Sequence, residues 1–262
     1  MTYFGFLLRF LVFPILIFAL LNFLDARRGK PLPAALQAYS PWKMLGILII
    51  IALVYTTPWD NYLVATGVWW YDPALVTGIV LGWVPIEEYT FFVLQPILVG
   101  LWLVWIAKRL PVGPEIAGMR ARVISVAVVG VIWLASLVML ISGWQPGTYL
   151  ALELVWALPP IMLQLFFGAD ILLRHWRLVL LAILPMTTYL SAADTLAIAS
   201  ETWTIDPAQS LGILLGGILP VEEFVFFTLT TVLITFGLVL GIAEASWKQL
   251  RTLRLVNNQA RS

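Results

Sequence analysis

The chain has 262 residues, 61% hydrophobic and 11% charged, with a formal net charge of +1 and a mean hydropathy of +0.96. Soluble domains carry roughly 25% charged residues, so a soluble core of this length cannot hide so much apolar surface and a bilayer is the expected solvent. The lack of cysteine excludes disulfide and thiolate chemistry, one histidine cannot build a multi-histidine metal site, and the near-neutral charge leaves no nucleic-acid footprint.

In chain order, apolar runs of about 20 residues predict helices over 3–24, 43–64, 74–106, 121–142, 149–169, 177–199 and 208–242. The first run, Tyr3 to Phe23, can span and lacks a basic leader, so it reads as a transmembrane helix rather than a cleavable signal. The third and seventh runs are unusually long, and Pro85 and Pro220 inside them predict kinks or half-helices. The expected fold is an all-α integral membrane protein with seven transmembrane helices.

The basic residues orient these spans. Arg27, Arg28, Lys30 and Lys43 flank the first loop, Lys108, Arg109, Arg120 and Arg122 the third, and Arg174 and Arg177 the fifth. Lys248, Arg251, Arg254 and Arg261 lie in the tail, which leaves only Arg9 elsewhere. The even-numbered loops hold no Lys or Arg. By the positive-inside rule the expected orientation is N-out and C-in, in the cell membrane, here taken as a bacterial plasma membrane. A retinal Schiff base would need a lysine at membrane depth, and Lys30, Lys43, Lys108 and Lys248 all sit at the cytoplasmic margin.

Two copies of one plan run through the chain. Thr2 to Pro14 answers Thr148 to Pro160, Trp42-Lys43 answers Trp176-Arg177, and Tyr55 answers Tyr189. Asp60 answers Asp194, Trp69 answers Trp203, and Asp72-Pro73 answers Asp206-Pro207. PIEEYTFF from Pro85 answers PVEEFVFF from Pro220. Expected units are a first repeat (1–110), a linker helix (111–145), a second repeat (146–245) and a cytoplasmic tail (246–262). Helices 1 and 5 run in the same direction, so the two three-helix repeats are expected to be parallel, related by an axis along the membrane normal.

Glu87, Glu88, Glu222 and Glu223 fall deep inside the predicted third and seventh helices, near mid-bilayer. An ionised carboxylate there costs on the order of 2.5–3.5 kcal/mol, and Arg9 alone cannot neutralise four acids. Some of them are therefore expected to hold a proton and serve as acids; the plain alternatives are pairing with backbone freed at the prolines or ion binding. Neighbours on a helix point about 100° apart, so the members of a pair cannot share one role. Phe91, Phe92, Phe226 and Phe227 follow one turn later and are candidates to stabilise a cation, or simply to pack. Asp60 and Asp194, near the outer ends of helices 2 and 6, read first as capping or water-contacting residues and second as assistants to the glutamates. Asp72-Pro73 and Asp206-Pro207 read as helix N-caps followed by proline. Trp69, Trp70 and Trp203 suggest an interfacial belt, Glu153 a partner for Arg9, and His175 an interfacial loop.

With two proline-led acidic pairs in matched positions, the sequence resembles the membrane-integral lycopene (carotenoid) cyclases, in the fused single-chain form of the two-subunit bacterial type. The resemblance spans nearly the whole chain. It implies redox-neutral closure of lycopene ψ end groups to β-ionone rings in carotenoid biosynthesis, giving γ- or β-carotene. The reaction class is an intramolecular lyase, a lycopene β-cyclase of the isomerases. The implied roles are catalytic for Glu87, Glu88, Glu222 and Glu223, cation-stabilising for the four phenylalanines, and assisting for Asp60 and Asp194. No metal and no cofactor are expected. The expected partners are an apolar C40 carotenoid (lycopene) drawn from the bilayer, membrane lipid and other carotenoid enzymes, with no nucleic acid. A C50 or ε/γ-ring cyclase and a proton-coupled transporter remain alternatives at this point.

Overall fold

The computed structural model describes residues 1–114 and 118–259; Arg261 of the basic tail lies outside them, as does part of the linker before helix 4. Seven helices are long and apolar enough to cross a membrane, in agreement with an all-α membrane protein. They are α1 (Tyr3–Arg27), α2 (Pro41–Ala65), α3 (Ile86–Ala107), α4 (Gly118–Ile141), α5 (Thr148–Arg174), α6 (Trp176–Ala199) and α7 (Val221–Ile242). An amphipathic helix α8 (Glu244–Gln259) follows.

Local chemistry sets these boundaries. Thr2 caps α1 by accepting the Gly5 N–H, and Ser40 caps α2 by accepting the Lys43 N–H, with Pro41 at the first helical position. A single π-helical turn, Leu8–Val12, interrupts α1. In α5, Gly168 leaves helical geometry and bends the helix.

The largest departure from the sequence reading lies in the third and seventh segments. Residues 74–85 and 208–220 are not helical. Each folds into a small hairpin, β2 (Val80–Leu81) with β3 (Val84–Pro85), and β5 (Leu214–Leu215) with β6 (Leu219–Pro220). Gly78, Gly82, Gly212, Gly216 and Gly217 turn these segments at positive φ, a conformation open to glycine at little cost. Pro85 and Pro220 precede their helices instead of kinking them; a residue without an N–H loses nothing there. The acidic pairs therefore sit in the first turn of α3 and α7, not deep within a long helix.

A third ribbon joins the two halves of the chain: β1 (Trp69–Tyr71) pairs antiparallel with β4 (Trp203–Ile205), Tyr71 opposite Trp203. The helices α3 and α7 are the most buried, together with α6, while α4 lies at the periphery against α5. At the opposite end of the bundle from the ribbon, Arg109 makes a bidentate pair with Asp25 at 2.7 and 2.9 Å, and Lys108 donates to Asn22. Burial pushes the Lys108 amine down, and Asp25 partly offsets this.

Candidate active site

Each acidic pair divides its labour through helix geometry. Because successive side chains diverge by about 100°, the first glutamate of each pair turns to the preceding segment and the second to the interior. The Thr77 N–H donates to Glu87 Oε1 at 2.7 Å, and the Leu211 N–H donates to Glu222 Oε1 at 2.7 Å. These two carboxyls are fully buried and fasten the hairpin segments to the helix starts. Hydrogen bonds of this kind contribute about 0.5–1.5 kcal/mol each.

Glu88 and Glu223 line one common small pocket, walled by Tyr3, Tyr71, Tyr149, Trp69, Trp203, Phe6, Phe91, Phe226, Phe227 and Ile205, with Asp194. Tyr3 and Tyr71 both donate to Glu88 Oε2, Tyr71 at 3.1 Å and Tyr3 in a very short contact. Trp69 Nε1 in turn donates to the Tyr71 hydroxyl at 3.1 Å. On the other side Tyr149 donates to Glu223 Oε1 at 2.7 Å, and Trp203 Nε1 donates to Asp194 Oδ1 at 3.0 Å. Asp194 and Glu223 share the wall of this pocket. Burial, and then the Glu88 carboxylate beside it, pushes the Tyr71 phenol well above its ordinary value, so it stays a donor at any ordinary pH.

A second cavity of about 1190 Å³ adjoins the first. It runs between α2, α3, α5 and α7 past Leu48, Ile51, Pro160, Leu163 and Leu233, with Gln95, Gln164, Thr56 and Thr230 as its polar groups. Phe91 and Phe226 belong to both cavities and so form the boundary between them. An aromatic ladder backs this boundary: Trp59 stacks on Trp156 at 4.4 Å and on Phe226 at 6.0 Å. The arrangement joins a small acid-bearing chamber to a longer apolar one. It suits a hydrophobic chain whose end alone meets the acids.

The structure brings most of the sequence-flagged residues together, with corrections. Phe91, Phe226 and Phe227 line the acid pocket, and Phe92 lines the apolar cavity. Asp60 and Asp194 are fully buried, and their helices run on past them, so neither acts as a cap. Asp60 has no hydrogen-bond partner among the described residues, and Asp194 is in the pocket wall. Asp72 and Asp206 cap turns, accepting the Ala74 and Ala208 N–H groups, since no helix begins there. Trp69 and Trp203 are buried in the pocket, and only Trp70 is exposed. Arg9 is exposed against the Met1 sulfur while Glu153 is fully buried elsewhere, so the two do not pair. His175 is buried at the junction of α5 and α6 and not in an open loop; desolvation, and then the Arg174 charge, pushes its imidazole down to about 4.

Sequence reasoning overlooked Tyr3, Tyr71 and Tyr149, which donate to the Glu88 and Glu223 carboxyls. A signal existed for two of them: Thr2-Tyr3 and Thr148-Tyr149 open the matched segments. Among the described residues no group of three or more His, Asp or Glu side chains is arranged to hold a metal ion.

Comparison with known proteins gives a consistent answer. A family model described as lycopene cyclase matches residues 32–106 and 146–241. A lycopene beta-cyclase of Halobacterium salinarum is 41% identical over 199 residues, which cover 75% of this chain and 81% of that protein. A bifunctional lycopene cyclase/phytoene synthase of Podospora anserina is 34% identical over 203 residues, 74% of this chain and 34% of the fungal one. One of Aspergillus oryzae is 34% identical over 201 residues, 76% of this chain and 34% of its own length. No solved structure matches the chain.

Proposed function

This chain belongs to the lycopene cyclase family, and on that premise we propose that it closes the ψ end groups of lycopene to β-ionone rings by proton transfer within the acid pocket. The observation that carries this reading is the convergence of Glu88 and Glu223, one from each acidic pair, on a single aromatic chamber that shares the Phe91 and Phe226 wall with an apolar one. The polyene would lie in the larger cavity and present its end past Phe91 and Phe226. A carboxylic acid protonates the terminal alkene, the ring closes through a carbocation shielded by the phenylalanines, and a carboxylate removes a proton. No electrons are gained or lost, and the reaction needs no redox partner. With one pocket, the two ends of lycopene react in turn.

The catalytic pair is Glu88 and Glu223, while Glu87 and Glu222 anchor the hairpins. Asp194 assists directly from the pocket wall, and Asp60 is its assisting counterpart in the first half. Phe91, Phe226 and Phe227 face the developing cation. The substrate is drawn from the bilayer, and association with other carotenoid enzymes belongs to the same reading.

Two parallel three-helix repeats joined by α4 complete the proposal. Matched contacts support them. The Tyr3 N–H donates to Leu75 O as the Tyr149 N–H donates to Gln209 O. The Tyr55 hydroxyl reaches Trp156 O in the other half, and the Tyr189 hydroxyl reaches Phe10 O. The basic residues at one end of the bundle support an N-out, C-in orientation in the cell membrane.

The test is pigment analysis of a lycopene-producing bacterium expressing this chain. Wild type should form γ- or β-carotene, and Glu88→Gln or Glu223→Gln should lower the yield roughly 10²–10⁴-fold while inserting normally. Lycopene left untouched by a well-inserted wild type would overturn the function. Full conversion by both variants would overturn the site.

A further inference from the structure

The two halves of the pocket follow one plan but differ in a single hydrogen-bond switch. In the second half, Trp203 Nε1 donates to Asp194, which shares the pocket wall with Glu223, and Glu223 accepts a single phenolic hydrogen bond, from Tyr149. In the first half the corresponding tryptophan, Trp69, donates instead to the Tyr71 hydroxyl. Asp60, which answers Asp194, is left with neither carboxyl oxygen bonded among the described residues. Tyr71 in turn donates to Glu88, which also accepts from Tyr3. Glu88 thus receives two phenolic donors on one oxygen, an arrangement that favours an ionised carboxylate. The position answering Tyr71 in the second half is Ile205, which has no hydroxyl to divert Trp203 from Asp194.

We propose that this asymmetry fixes the direction of proton flow: Glu223, which accepts one phenolic donor, is the acid that starts ring closure, Glu88, which accepts two, is the base that ends it, and Tyr71 is the positioning residue that sets the difference. The inference rests on the cyclase reading above. The Glu223 proton passes to C2 of the ψ end group and leaves the positive charge at C1. The C5=C6 electron pair then forms the C1–C6 bond, which moves the charge to C5. Glu88 takes the proton from C6, and its bonding pair restores C5=C6. Glu223 has lost one proton and Glu88 has gained one, so the cycle closes when that proton returns across the common pocket. The position of the base also selects the β ring, since removal from C4 or from the C5 methyl group would give ε or γ rings.

Deuterium exchange separates the two roles. Membranes carrying each variant are incubated with lycopene in D₂O, and recovered carotenoids are analysed by mass spectrometry and NMR. Glu88→Gln keeps the acid and loses the base, so β rings should vanish while deuterium enters C2 of recovered lycopene or of ε/γ isomers. Glu223→Gln loses the donor, and lycopene should return without deuterium. Tyr71→Phe should lower kcat about tenfold with KM unchanged and raise the ratio of exchange to cyclisation, which a merely structural role would not do. If Glu88→Gln fails to insert, that ratio decides. Exchange in Glu223→Gln but not in Glu88→Gln, exchange in both, or exchange in neither overturns the assignment. A wild type that leaves lycopene unchanged in the same membranes overturns the function itself, and the assignment with it.

Discussion

Glu153 offers a test of how buried charge is tolerated in this fold. It lies on α5, has no exposed surface, and neither carboxyl oxygen finds a hydrogen-bond partner among the described residues. Its nearest polar neighbours make matters worse: Glu222 and Glu223 are acids, and the Tyr149 hydroxyl gives its one hydrogen to Glu223. The residue answering it in the first half is Leu7, also buried. Glu153→Leu replaces an unsatisfied polar group by an apolar side chain of similar size. Leaving such a group unpaired costs about 1–3 kcal/mol, so the variant should be more stable by that amount. At about 2–4 °C per kcal/mol for a chain of this size, Tm should rise by about 2–12 °C. The assay is thermal unfolding in lipid nanodiscs, with pigment analysis beside it; cyclisation should persist because Glu88, Asp194 and Glu223 are untouched. A Glu153→Leu protein that inserts correctly yet melts at or below the wild-type temperature would refute the reasoning.

Two further outcomes are expected. Phe226→Leu keeps a bulky apolar side chain at the boundary of the two cavities but removes the ring. With cation–π stabilisation of about 0.5–2 kcal/mol, kcat for ring closure should fall about 2–30-fold with little change in KM, and an unchanged kcat would exclude that role. His175 is held near 4 when folded, against 6.5 unfolded. The unfolded chain therefore takes up a proton first, and stability should fall as pH drops from about 6.5 towards 4, by at most about 1.4 kcal/mol per pH unit. Melting curves across that range should show the slope, and His175→Gln should flatten it.

Much of this molecule was legible in one dimension. Hydropathy alone marks all seven spans, because a bilayer demands a minimum run of apolar side chains whatever the tertiary fold. The acidic pairs, the phenylalanines one turn beyond them and the matched aspartates could all be flagged, since unpaired acids among apolar residues need an explanation. Their depth was misread. Residues 74–85 and 208–220 are apolar enough to pass for helix, yet glycines at positive φ and a proline before each acidic pair make hairpins there. Hydropathy counts apolar side chains and is blind to backbone handedness.

Other facts arise only when distant segments meet. Adjacent glutamates must diverge, but which one faces inward depends on how α3 and α7 are rotated against their neighbours, and packing sets that rotation. The partners that give each carboxyl its character come from far along the chain: Tyr3 reaches Glu88, and Tyr149 reaches Glu223. Tyr71 carries a phenolic hydroxyl that Ile205 lacks, a difference without meaning until the β1–β4 ribbon sets both strands beside the pocket. Hydropathy and motif spacing suffice for a seven-helix membrane protein bearing two acidic pairs, because transfer free energy is local and additive along the chain. Which acids share a chamber, and which donors each receives, emerges only in the folded molecule, because hydrogen bonds depend on distances between residues that the chain itself keeps far apart.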